Sequence, residues 1–199
     1  MWRGLDSQRW EVAHFKLNQQ GVAARGTQIG TEPVRYRMDY ELDARGGFVT
    51  RQLNARAEGE GWSRRLVLQH DGRGAWTCDV EASGQVDLDT PAAERGVLDE
   101  LTVARDCDLG FSPATNLMPI RRHRLNLEDG AADIVVAWVS VPDLKLYAYA
   151  QRYESIRRTT DGSLVRFIDR GLSEGFVANL RLDADGLIEL YPDLAECVG

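Results

Sequence analysis

Three features of the sequence predict an all-β, mainly antiparallel fold. The first is strict alternation. Val34, Tyr36, Met38, Tyr40 and Leu42 are apolar, while Arg35, Arg37, Asp39 and Glu41 lie between them. A period of two over this stretch sorts the residues onto the two faces of a half-buried strand, which a helix cannot do. The second is punctuation: turn residues recur every ten or so positions, the spacing of a sandwich, barrel or roll. The third is the run Ala131 to Val141, apolar on both faces, which suits a central strand covered on both sides.

The elements follow in order. Arg9 to Leu17 reads as a strand, and Gln20-Gly21 turns the chain into a second strand over Val22 to Thr31. Pro33, with no amide donor, ends it. After the alternating strand, Asp43 to Gly47 forms a turn, and Phe48 to Ala57 alternates again with Arg51 out of register. Glu58 to Gly61 turns into a strand over Trp62 to His70. Asp71-Gly72-Arg73-Gly74 is a hairpin turn, because Asp-Gly supplies the positive φ that tight turns need. Ala75 to Cys78 returns along the sheet. Thr90-Pro91 resembles a helix start and predicts one short helix within Ala92–Leu101. Residues 105–119 read as a loop. Strands are expected at Ile120 to Leu127, Ala131 to Val141 and Leu144 to Tyr153. Further strands are expected at Leu164 to Ile168, Phe176 to Leu182 and Leu187 to Tyr191.

Composition narrows the function classes. The 199 residues suit a single domain, residues 1–199, with a substantial core. A net charge of −7 argues against a general nucleic-acid binder, which carries a basic face. The opening Met1-Trp2-Arg3-Gly4-Leu5-Asp6 lacks the apolar core of a secretory signal, and the longest apolar run is too short for membrane insertion. A cytoplasmic location is expected. Cys78, Cys107 and Cys197 are widely separated and read as reduced thiols. His14, His70 and His123 stand singly, so no zinc spacing is present and neither a metal nor a cofactor is implied.

Two short motifs are better read as structure. Gly171-Leu172-Ser173-Glu174-Gly175 matches GxSxG, but a strand rather than a helix follows it, and no histidine lies beyond Ser173. Asp183-Ala184-Asp185-Gly186 lacks the remaining ligands of a calcium loop and reads as a hairpin turn. The aromatic residues Trp10, Tyr36, Tyr40, Trp62, Trp76, Trp138, Tyr149, Tyr153 and Phe176 either form core or line a ligand cavity in a large roll.

The least generic stretch is Arg105 to Arg122. Asp106 and Asp108, two apart, share a face of any strand they occupy, about 6.6 Å apart at a rise of roughly 3.3 Å per residue. Such a pair suits a glycosidase acid and base, or binds the arginines that follow. Arg121 and Arg122 offer planar donors for a phosphate or sugar hydroxyls. Asp106-Cys107-Asp108-Leu109, then Pro113-Ala114-Thr115-Asn116-Leu117-Met118-Pro119-Ile120-Arg121-Arg122, resembles the signature of the bacterial, largely uncharacterised "putative glycolipid-binding" family. Asp71-Gly72-Arg73-Gly74-Ala75-Trp76, Gln151-Arg152-Tyr153 and the late Asp185-Gly186-Leu187 with Tyr191-Pro192 resemble its other landmarks. Ala114 stands where a bulky aromatic is expected, His123 where an apolar residue is expected, and residues 84–104 are longer than the usual spacer.

The resemblance implies a spiral β-roll, a strongly curled sheet similar to lipoprotein and lipid carriers, with at most one or two short helices. It also implies binding of a glycolipid or related amphiphile. An apolar concavity would take the acyl chains, and Asp106, Asp108, Asn116, Arg121, Arg122 and Tyr153 would bind the headgroup. The expectation is a binding protein without enzymatic activity. The alternative is a hydrolase or transferase on a sugar-linked substrate, using Asp106 and Asp108. A third reading is structural: Asp106 and Asp108 pair with Arg121 and Arg122 to close the roll.

Overall fold

The computed structural model describes residues 1–93, 96–171 and 175–198. Among them, one sheet of 14 strands runs through the chain. Its first seven strands are β1 (Trp2–Gly4), β2 (Arg9–Asn18), β3 (Gly21–Gly30), β4 (Tyr36–Arg45), β5 (Val49–Gly59), β6 (Trp62–His70) and β7 (Trp76–Gly84). The second seven are β8 (Asp106–Leu109), β9 (Ala131–Val139), β10 (Leu146–Arg158), β11 (Gly162–Asp169), β12 (Val177–Asp183), β13 (Ile188–Tyr191) and β14 (Ala195–Cys197). The strand order is β7-β6-β5-β4-β3-β2-β1-β14-β13-β12-β11-β10-β9-β8. Two meanders therefore meet at the sheet's middle, where the short terminal strands β1 and β14 pair antiparallel. The sheet is curled and does not close on itself. Every strand pairing is antiparallel except β8 with β9.

The expected alternation places its residues as predicted. Tyr36, Met38, Tyr40, Leu42 and Ala44 are buried, and Arg37 and Glu41 face solvent. Two glycines make room for the tyrosines. Gly26 pairs with Tyr40, and Gly30 with Tyr36. A Cβ on Gly26 would lie 2.3 Å from the Tyr40 ring, so only glycine lets that ring cross its neighbouring strand.

The misplaced Arg51 marks a bulge. Asp43 pairs with Gln52 but Ala44 pairs with Thr50, so Arg51 has no partner on β4. One extra residue reverses the facing of what precedes it. Thr50 is thereby fully buried, and all its polar atoms are used. Its N–H donates to the Arg105 carbonyl (2.9 Å), and its Oγ1 accepts the Cys107 N–H (2.9 Å). Its carbonyl accepts from His70 Nδ1 (3.1 Å), whose ring stacks on Trp76 with centroids 4.4 Å apart. Through Thr50, the far edge strand β8 is fastened to β5, which brings the two halves of the sheet face to face.

Two cores result. The first joins the inner faces of β3–β6 to Cys107, Leu109, Ala137, Val139 and Leu146. The second collects Tyr153, Val165, Phe167, Leu180, Ile188 and Tyr191. A helix lies between them: α2 (Leu117–Arg122) contributes Leu117 and Met118 to the first core and Ile120 to the second.

Several expectations change. The strand expected at Ile120 to Leu127 is instead the end of α2 and the turns after it. A short apolar run does not distinguish a buried strand from a buried helical turn. Pro119 is tolerated because it lies in the first turn, where amides have no intrahelical acceptor. Asp106–Leu109 is a strand and not a loop. The helix expected within Ala92–Leu101 is the shorter α1 (Val97–Glu100), which follows Gly96 at φ 98° and runs into a tight turn over Leu101–Val103. Ala93 forms a bridge to Leu146 instead. Strands β1 and β14, three residues each, carry no pattern in the sequence. The serine of the GxSxG match lies outside the described residues. No helix among the described residues is long and apolar enough to cross a membrane.

The Thr50 fastening is testable. Thr50→Val keeps the shape but leaves the buried Cys107 N–H without an acceptor, which costs about 1–3 kcal/mol. Urea unfolding is expected to show that loss, with faster hydrogen exchange at the Cys107 amide. Unchanged stability would mean that β8 is held by its apolar contacts alone.

Candidate functional site

The second core opens at one end into a pocket of about 280 Å³. Its walls are aromatic: Trp138 from β9, Tyr149 from β10, Phe167 from β11, Phe176 before β12, and Tyr191 from β13. The rings are arranged around the opening. Trp138 and Tyr149 lie 5.8 Å apart at 34°, and Phe176 and Tyr191 are stacked at 6.4 Å. Strand pairing fixes these positions, because residues two apart on neighbouring antiparallel strands share a face.

The floor is polar. Asp108, opposite Trp138 in the β8–β9 register, faces the pocket with Asn116, Gln151 and Asp169. Asp108 accepts from Thr115 Oγ1 (2.6 Å) and Gln151 Nε2 (2.7 Å). The Gln151 amide is oriented in turn by Tyr153, whose hydroxyl donates to Gln151 Oε1 (3.2 Å) and accepts from Asn116 Nδ2 (2.8 Å). Burial pushes the Asp108 carboxyl up to about 6, although the Thr115 and Gln151 bonds oppose the shift. Asp169 accepts the Gly171 N–H (2.7 Å).

The lip is braced from β2. Phe111 and Ser112 line the pocket mouth. Phe111 holds φ 61°, a left-handed conformation costly for a bulky residue. The Arg9 guanidinium lies 4.3 Å from its ring centroid and also donates to the carbonyl of Leu194, another wall residue (3.2 Å). Ser112 Oγ donates to Glu11 Oε1 (2.6 Å), as does the Tyr40 hydroxyl (2.5 Å). Glu11 is buried, and its other oxygen has no hydrogen-bond partner among the described residues. Burial raises its pKa from 4.5 to about 7, against the pull of Ser112, Tyr40 and Arg9.

The six expected headgroup residues divide. Asp108 and Asn116 line the pocket, and Tyr153 lies buried beneath it as a positioning residue. Asp106 does not reach it: it is fully buried, and Arg122 grips both its oxygens. Burial raises the pKa of the Asp106 carboxyl although the Arg122 guanidinium pulls against the shift, and the two-point contact holds α2 on β8. Arg121 points elsewhere, donating to the Asp185 carbonyl (3.1 Å) and lying 5.4 Å over the Phe48 ring. The structural pairing is thus realised for Asp106 with Arg122, but not for Asp108 or Arg121. Although Asp106 and Asp108 share a face, only Asp108 opens to the pocket, so they do not flank one substrate bond. Ala114 is buried in the first core and opens no space at the pocket. The Cys107 thiol, pushed up to about 12 by burial, is not a nucleophile. Sequence reasoning gave Trp138, Tyr149 and Phe176 as possible cavity residues, while Tyr36, Tyr40 and Trp76, named with them, pack in the first core. It missed Phe111, Phe167, Gln151, Asp169 and Tyr191 as a site; the nearest signal was the Gln151-Arg152-Tyr153 landmark.

The family model described as "Putative glycolipid-binding" matches residues 1–197. The chain belongs to this family. A crystal structure of a DUF1089 family protein from Pseudomonas aeruginosa is similar, with a TM-score of 0.72 and 26% sequence identity. The likeness covers 96% of this chain and 92% of that one. No curated protein matches. In this member of the family the aromatic pocket lies beside Asp108 and Asn116.

The Glu11 brace predicts a pH dependence. Between pH 4.5 and about 7 only the folded state holds the Glu11 proton, so its contribution is full below 4.5 and is lost as pH rises to about 7. Glu11→Gln cannot titrate. Relative to wild type, the variant is expected to gain on the order of 3 kcal/mol between pH 4.5 and pH 8. Urea unfolding of both proteins at the two pH values measures this, and a difference that does not move with pH would refute the assignment.

Proposed function

We propose that the protein binds a glycolipid or related amphiphile headgroup first, with a sugar ring seated in the aromatic pocket. The observation that carries this reading is the combination of Trp138 and Tyr149 with Asp108, Asn116 and Asp169 at a single opening. Aromatic faces cover the apolar C–H face of a sugar, and carboxylate and amide groups take its hydroxyls. Apolar walls with few polar anchors are typical of small-ligand sites. At about 280 Å³ the pocket suits one sugar ring and not a whole lipid.

The acyl chains have a different place from the one expected. The interior of the roll is filled by Leu101, Leu109, Leu117 and Met118 packed against the sheet. Phe111, Phe176 and Val177 are instead exposed by 39%, 37% and 51%, the first two at the mouth. They offer an apolar lip over which a chain leaves the pocket. The hydrolase or transferase alternative now falls to Asp108, since Asp106 is closed off by Arg122.

Native mass spectrometry of freshly purified protein, followed by lipid extraction, tests the reading. A glycolipid is expected to co-purify with wild type and to be depleted from Trp138→Ala. Loss of one aromatic platform is worth about 0.5–1.5 kcal/mol beyond area, or roughly a two- to tenfold loss of affinity. Equal retention of glycolipid by Trp138→Ala and Asn116→Ala would place the sugar elsewhere. Release of free sugar on incubation, abolished by Asp108→Asn, would move the assignment to catalysis.

A further inference from the structure

We propose that a second groove, on the far side of Gln151 from the aromatic pocket, is an anion site that takes a phosphate group. The groove, of about 450 Å³, is lined by Arg105, Arg122, His123 and Arg170 over a floor that includes Ile134, Val135 and Ala150. Gln151 lines both cavities.

The charged lining of this groove is mainly basic. The chain is acidic, with a net charge of −7. Its surface arginines are commonly neutralised: Arg25, Arg37, Arg56, Arg65 and Arg181 each meet a carboxylate. Arg105 and Arg170 do not. Arg105 donates to the Gly72 carbonyl (3.1 Å) and has no carboxylate partner among the described residues. Arg170 is anchored by its backbone N–H on Ala150 O (3.0 Å), which leaves its guanidinium similarly unpaired among the described residues. Asp133 is the carboxylate lining the groove, and Arg152 already binds it. Arg122 is fixed in place by Asp106, and its Nη2 lies 3.5 Å from His123 Nε2. The groove is thus lined by two arginines with no carboxylate partner among the described residues and by the fixed Arg122, over an apolar floor that weakens screening. Planar N–H forks match the oxygens of phosphate better than those of a neutral ligand.

This site extends the proposed headgroup reading without depending on it. The same chemistry would recognise the phosphate of a phosphorylated headgroup or free inorganic phosphate. The test is titration calorimetry at low ionic strength with inorganic phosphate, glucose 1-phosphate and methyl glucoside, on wild type and an Arg105→Gln/Arg170→Gln variant. Both substituted side chains belong to exposed residues, and a thermal melt checks folding. At least one phosphate-bearing probe is expected to bind wild type, to weaken with added salt, and to lose about tenfold or more in the double variant. Glucose 1-phosphate binding tighter than both other probes would assign the phosphate to a headgroup. Equal binding of inorganic phosphate would assign the free ion. Methyl glucoside failing to bind while phosphate behaves as expected would remove the sugar reading and leave the anion site standing. Neither phosphate probe binding wild type, or binding unaffected in the folded double variant, would overturn the proposal.

Discussion

The structure depends on the fastening of β8 to Thr50. The sheet's middle is made by the chain termini, so both of its edges come from the chain interior. Nothing in a meander forces its two ends together. Here the bulge at Arg51 turns Thr50 inward, and its N–H and Oγ1 meet the backbone on either side of Asp106. The contact satisfies backbone groups on an edge strand that would otherwise be unpaired and buried. It also brings Cys107 and Leu109 onto one core while Asp106 and Asp108 face the other way.

That single placement separates the roles of two aspartates that look equivalent in sequence. Asp106 comes under the end of α2 and is matched by Arg122, a buried pair whose loss would strand a charge. Asp108, one strand step further, comes to the pocket floor and is held by two neutral donors. Burial pushes its carboxyl up to about 6 in spite of those two bonds. Around the same pocket lie the left-handed Phe111 and the half-satisfied Glu11. A strained backbone and an incompletely paired buried carboxyl are thus gathered at one opening.

The filled roll changes what a lipid-carrier shape means for this chain. The central segment occupies the concavity, with Pro113 through Ile120 all buried. The site accordingly lies at the end of the second core. The pocket there has aromatic walls and a carboxylate floor, and a basic groove lies beside it.

The sequence alone determined most of the strands, though not β8 or the two terminal ones, because a period of two records which face is buried wherever a sheet separates core from solvent. It also carried the bulge, in the misplaced Arg51, and the family signature, in the stretch from Asp106 to Arg122. It did not determine the helix at Leu117–Arg122, because residues buried from two sides show no periodicity. It did not reveal β1 and β14, which are too short to carry a pattern and whose pairing joins opposite ends of the chain. Above all it did not show which aromatic residues share an opening. Trp138, Tyr149, Phe167 and Tyr191 stand on four different strands, and nothing local separates them from core aromatics such as Tyr36 and Tyr40. Only the curl of the sheet, which sets them around Asp108, gives them a common opening.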